Sequence, residues 1–131
     1  MATFKKFEEI EGWQKSRELT RKVYKVSNKG AFSKDFGLKD QIRRASVSVM
    51  SNIAEGHDRS GTGEFIQFLA NAKGSAAEVR CQLYVALDQD HINEAEFDEL
   101  SDLALETGKM IGGLLNYLRD SKYRGTKYKS E

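Results

Sequence analysis

A chain of 131 residues fits one domain and can bury roughly two thirds of its unfolded surface, enough for a hydrophobic core. Proline is absent, so no helix is obliged to kink, and the lone Cys81 excludes an internal disulfide and the usual cysteine-based zinc sites. The net charge of +1 excludes the strongly basic class that binds nucleic acid by charge alone, and no window approaches the ~18 apolar residues of a membrane span.

The segment MATFKKFEEI lacks the apolar run of a signal peptide, so a soluble, cytoplasmic protein is expected. The first helix is predicted over about 12–28, with Trp13, Ser16, Leu19, Thr20, Val23, Val26 and Ser27 facing inward. Gly30 is suited to the left-handed conformation that ends a helix, and Phe32 is expected to tuck against the bundle end.

The second helix is predicted over about 35–55, stopping at Gly56. Leu38, Ile42, Ala45, Val49, Asn52 and Gly56 alternate steps of four and three, which places them on one face. A second row, Val47, Met50 and Ala54, widens the apolar arc beyond what one neighbour covers. The break HDRSGTG leads to a third helix over about 62–88, with Thr62 as N-cap. Its stripe of Phe65, Leu69, Ala72, Ala76, Val79, Leu83 and Ala86 keeps the same spacing without a miss. Gly74 disfavours a helix interior by about 1 kcal/mol relative to alanine, so close packing is expected there. Cys81 is read as a small, semi-buried thiol.

The fourth helix, over about 93–120, has the clearest start. Asn93 and Glu96 form a capping box, and Ile92 and Phe97 a hydrophobic staple. Two rows follow: Leu100, Ala104, Ile111, Leu115 and Leu118, and Leu103, Met110, Leu114 and Tyr117. Gly108 and Gly112 share a face and permit close backbone approach. So wide an arc points to self-association. Residues 122–131 carry bases and two tyrosines without an apolar stripe, and a flexible tail beyond a bundle of residues 1–121 is expected. Four long helices with short connections define an all-α, antiparallel up-down four-helix bundle.

Charge is arranged in blocks. Six bases and only Glu18 lie between Lys15 and Lys29, whereas Asp88 to Glu106 holds eight acids and no Lys or Arg. Beyond Lys109 the chain turns basic again. Nucleic-acid-binding candidates are Arg17, Arg21, Lys22 and Lys25 of the first helix, Lys39, Arg43 and Arg44 of the second, and Lys122, Arg124 and Lys127 of the tail. Guanidinium groups grip phosphate through paired hydrogen bonds, and Tyr123 and Tyr128 offer rings for unpaired bases. The competing reading assigns these charges to a solvated face, or to contacts with the acidic block on a neighbouring helix or subunit.

Asn52 and Glu55, one turn apart, suit either a ligand site or structural bonds beside Gly56. His57-Asp58-Arg59 holds a base, a carboxylate and a cation, but neighbours in a loop do not make a catalytic constellation. No catalytic group, metal site or cofactor is assigned.

The words QIRRASVSVMSNIAEG and EFIQFLANAKGSAAEVRCQL closely resemble the bacterial four-helix-bundle family of 23S ribosomal RNA intervening-sequence proteins. Trp13-Gln14-Lys15, Phe36-Gly37-Leu38 and the glycine of the third helix fit as well, so the likeness spans about Trp13 to Leu118. Ser33 departs from the Phe-Pro pair common in that family, and a looser loop is the expected consequence. The resemblance implies a ring-like homopentamer. A related branch, the accessory proteins of diversity-generating retroelements, forms a basic barrel that binds nucleic acid and a reverse transcriptase. The functional expectation is a non-enzymatic homo-oligomer that binds RNA or DNA or assists a protein partner that handles it. The alternative is a protein-interaction scaffold without nucleic-acid binding.

Overall fold

The computed structural model describes the backbone of residues 4–129 and the side chains of residues 4–122. Four helices dominate: α1 (Glu11–Ser27), α2 (Phe36–Asp58), α3 (Thr62–Asp88) and α4 (Glu94–Lys129). Short 3₁₀ turns at Phe7–Glu9 and Gly30–Lys34 precede α1 and α2, and there is no strand among the described residues.

Each helix packs on its sequence neighbours, and α1 closes the bundle against α4. The direction of every pairing is fixed by side chains. Lys15 meets Glu106 and, two turns along α1, Lys22 meets Glu99, two turns back along α4. On the next seam Thr20 donates to the Ser46 carbonyl, and Arg43 reaches back to Ser27. Ser48 faces Ser75 between α2 and α3, and the Tyr84 and Phe97 rings meet edge to face between α3 and α4. Rising numbers on one helix face falling numbers on the next at every seam, so the bundle is antiparallel and up-down.

The stripes read from the sequence form the core. Ile42, Val49, Leu69, Ala72, Val79, Leu83 and Ala86 are fully buried, with Leu100 and Ile111 opposite them. The core has two halves. One gathers Leu19, Val23, Phe32, Ile42, Leu83 and Leu100; the other gathers Ile10, Val49, Ile53, Leu69 and Ile111. Between them Ser16, Ser46 and Thr107 are completely buried on three helices. Each of these hydroxyls donates to a carbonyl of its own helix: Trp13, Arg43 and Leu103 respectively. They satisfy the rule that buried polar groups need partners.

Several helix ends differ from expectation. Helix α2 runs through Gly56 to Asp58. A Cβ on Gly56 would lie 2.6 Å from Phe68 Cβ and 3.0 Å from Phe65 Cδ1, so this glycine lets α3 approach and does not end the helix. Close packing had been assigned to Gly74, which instead is exposed, with no atom near its absent Cβ. Gly108 is likewise open, while Gly112 lies beneath the Lys73 side chain. The N-cap of α3 is Gly61, with no side-chain cap, and Thr62 is its first helical residue.

At α4 the expected capping box forms: Glu96 N–H donates to Asn93 Oδ1 at 2.8 Å, and Asn93 N–H to Glu96 Oε1 at 3.0 Å. The helix then continues to Lys129, past the expected end at 120, so the backbone of the basic tail is helical through that residue. Gly30 adopts a φ of +48°, as its place after α1 requires, and Phe32 is wholly buried against the His91 ring. Cys81 is exposed, contrary to the semi-buried expectation, because it lies opposite the α3 core stripe.

Candidate nucleic-acid interface

The structure divides the candidate bases into two groups. Lys22 is hydrogen-bonded to Glu99 of α4 and lies 3.7 Å from Glu18. The bond to Glu99 raises the Lys22 pKa, and the same contact lowers that of Glu99. Lys15 reaches Glu18 at 3.7 Å and Glu106 at 3.5 Å. The acidic block of α4 therefore meets bases of α1 inside one chain, as the competing reading of contacts with a neighbouring helix or subunit allows. Exposed pairs of this kind contribute little stability, about 0 to 1 kcal/mol each, but they do occupy the charges involved.

Arg43 is also engaged. Its Nε donates to Ser27 Oγ at 2.8 Å, its Nη2 to the Tyr24 carbonyl at 3.3 Å, and its guanidinium lies 4.3 Å from the Tyr24 ring centre. It fastens α2 to α1 without pairing with an acid of α4, and it lines the surface groove beside Arg44 while half-buried. Lys39 Nζ approaches the Ser33 carbonyl at 3.5 Å.

Arg17, Arg21, Lys25 and Arg44 are exposed, and no ion pair involves them among the described residues. Arg17 lies over the Trp13 ring at 5.9 Å, and Lys25 borders the charged cleft that contains Glu96 and Glu99. Arg44 lines a groove on the outside of α1 and α2 with Tyr24, Asp40 and Val47. Lys122 is exposed near Gly63, whereas the side chains of Arg124 and Lys127, like those of Tyr123 and Tyr128, lie outside the described residues.

The motif residues have structural partners. Asn52 Nδ2 donates to the carbonyl and the hydroxyl of Ser48, at 2.8 and 3.0 Å, beside the Ser48–Ser75 contact. Glu55 accepts from Arg59 at 2.9 Å. His57 donates to the Phe4 carbonyl at 2.8 Å, so His57-Asp58-Arg59 converges on no common point. No group of three or more His, Cys, Asp or Glu is arranged to hold a metal among the described residues.

A second basic site was not picked out from sequence. Lys73, Ala77, Arg80 and Tyr84 repeat the 4-3-4 spacing on the flank of α3; the first three line a groove with Leu105, Lys109 and Gly112 of α4, and Tyr84 lies one turn beyond it, against Phe97. The groove between them has a volume of about 450 Å³ and is lined by Lys73, Arg80 and Lys109 without a carboxylate. The signal was present as a second helical row beside the core stripe. Its meaning depended on which face of α4 lay opposite.

An all-α four-helix bundle, with no metal-holding cluster among its described residues, is the class that the fold defines. A sequence model described as 23S rRNA-intervening sequence protein matches residues 8–113, and the chain belongs to that family. A crystal structure of a protein of unknown function from the S23 ribosomal protein family of Bacteroides thetaiotaomicron shares the fold. It is 22% identical, with a TM-score of 0.72, over 79% of this chain and 97% of that one. No curated protein matches. Among the described residues, no helix is long and apolar enough to cross a membrane.

Proposed function

We propose that this chain is a non-enzymatic, self-associating protein of the cytoplasm that acts on nucleic acid by binding it, with RNA as the first candidate. The observation carrying this reading is the division among the α1 and α2 bases. Lys15 and Lys22 are neutralised by α4, while Arg17, Arg21, Lys25 and Arg44 point outward without an ion-pair partner among the described residues. Exposed bases without an ion-pair partner are available to replace the counterions of a phosphate backbone. The exposed Cys81 suits a reducing compartment.

Self-association is supported by the second apolar rows. Val47 of the α2 row is 39% exposed and Tyr117 of the α4 row 44%, whereas Leu103 of the α4 row is buried; Leu105, outside both rows, adds a further exposed apolar side chain on α4. A head-to-tail contact between unlike patches closes into a ring when its rotation allows. A pentamer has a mass of about 74 kDa, five times 14.8 kDa. The same exposed apolar residues favour the alternative of a scaffold for a protein partner.

Fluorescence anisotropy with single-stranded RNA and DNA tests the first reading. Affinity should fall steeply as salt rises, and an absence of binding at low salt leaves only the scaffold. Light scattering tests assembly: a monomer mass at micromolar concentration removes self-association, and a dimer removes the ring.

A further inference from the structure

The groove between α3 and α4 differs from the other basic places on the surface. At the cleft beside Lys22, Lys25 and Lys29 the bases share the lining with Glu96 and Glu99, and beside Arg44 lies Asp40. Between α3 and α4 the lining holds Lys73, Arg80 and Lys109, and Asn116 is its remaining polar side chain. Among the described residues none of the three bases forms an ion pair.

The groove floor explains why the bases gather there. Gly108 and Gly112 carry no side chain, so α4 leaves a trough into which α3 side chains lean. Lys73 Nζ lies 3.6 Å from the position a Cβ on Gly112 would take. Arg80 Nε is buried and has no hydrogen-bond partner. A buried donor without an acceptor is costly, and an acceptor supplied from outside relieves that cost. Lys73 and Arg80 stand two turns apart, about 10 Å along α3. One turn further, Tyr84 is 53% exposed, with its ring held edge-on against Phe97 at 4.8 Å. A track of cations ending in a steadied aromatic ring is the arrangement that binds single strands, with cations on phosphates and a ring beneath a base.

We infer that the α3–α4 groove binds single-stranded RNA, with Lys73, Arg80 and Lys109 contacting backbone phosphates and Tyr84 stacking on an unpaired base. The inference rests on the nucleic-acid reading and places its main contact on the α3–α4 flank, away from the bases of α1 and α2. A rival occupant is a second copy of this chain, whose Glu94, Asp98 and Asp102 form an exposed acidic row on α4. Either occupant could supply acceptors to the Arg80 guanidinium, and the exposed Tyr84 ring favours RNA.

The test is anisotropy of a labelled single-stranded oligouridine across a salt series, with mass and melting temperature measured for every variant. Loss of three phosphate contacts in Lys73→Gln/Arg80→Gln/Lys109→Gln should flatten the log–log salt slope by about 2 and weaken binding roughly 100-fold at 0.1 M salt. Tyr84→Leu should weaken binding at least about 5-fold with the slope unchanged. Should the triple variant fold poorly, Lys109→Gln alone, at an exposed position, should flatten the slope by about 0.7. RNA binding that survives these changes but is lost in Arg17→Gln/Arg21→Gln overturns the groove and leaves the broader reading standing. No RNA binding by the unaltered protein overturns both. A groove variant that falls apart into smaller species marks the groove as a subunit contact and overturns the inference.

Discussion

Asp35 Oδ2 accepts a hydrogen bond from His91 Nε2 at 3.0 Å, joining the start of α2 to the turn between α3 and α4. The other oxygen of the same carboxylate accepts from the Leu38 amide at 3.2 Å and caps α2. His91 is stacked on Phe32, so one carboxylate ties together both connections at this end of the bundle.

These bonds, chiefly the one from His91, lower the Asp35 pKa below its ordinary value of 3.8. A carboxylate with a depressed folded-state pKa stabilises the fold above its unfolded pKa, and that stability is lost as pH falls through the folded value. Urea melts between pH 6 and pH 2 should show the unaltered protein losing stability below about pH 4 more steeply than Asp35→Asn. The variant keeps a capping oxygen and removes the titration. Parallel curves for the two proteins would show that this carboxylate does not couple to folding.

The buried stripe sets a second expectation. Leu69 and Leu83 are wholly enclosed, each in a different half of the core. Leu69→Ala and Leu83→Ala should each cost about 2 to 5 kcal/mol through lost burial and the cavity left behind. Denaturant melts showing less than about 1 kcal/mol would mean that the surrounding helices close the gap.

Two glycines should respond in opposite directions. Gly56→Ala places a methyl group 2.6 Å from Phe68 Cβ, and separating α2 from α3 should cost about 1 to 3 kcal/mol. Gly74→Ala meets nothing within the chain and should stabilise the helix by roughly 0.4 to 1 kcal/mol. Thermal melts settle both, and a destabilised Gly74→Ala protein of reduced mass would assign that glycine to a contact between copies.

Arg21 and Lys22 are adjacent in sequence but differ in circumstance. Arg21 is exposed without an ion-pair partner among the described residues, whereas Lys22 is bonded to Glu99. On the nucleic-acid reading, Arg21→Gln should weaken RNA binding about 5-fold at 0.1 M salt, one phosphate contact's worth. Lys22→Gln should have the smaller effect. Equal losses in anisotropy titrations would mean that the ion pair opens on binding.

The buried faces were legible because steps of four and three along a helix fix which residues point the same way, whatever lies opposite. Leu38 to Gly56 and Phe65 to Ala86 were readable for that reason. Helix ends were less so. Gly56 looked like a terminator because glycine often is one, but the Phe65 and Phe68 rings need the space its missing side chain leaves. The pairing of Lys15 with Glu106 and of Lys22 with Glu99 depended on the register between α1 and α4, which no local pattern encodes. Arg43 gave the same difficulty: its sequence neighbours do not reveal that Ser27 and the Tyr24 carbonyl await it. The α3 row of Lys73, Arg80 and Tyr84 was visible, but the trough beside it belongs to α4.

At the level of Ser16, Ser46 and Thr107 three of the four helices turn a buried hydroxyl inward, each bonded to its own helix, while α3 passes with Ala76 and Val79. The contacts recorded from one helix to the next near that height are polar: Thr20 to Ser46, Ser48 to Ser75 and Lys15 to Glu106. The two storeys above and below are each closed by their own leucines and isoleucines, so they can open on different occasions. Amide exchange under native conditions should then divide into two tiers of protection, with the boundary running across all four helices instead of between them.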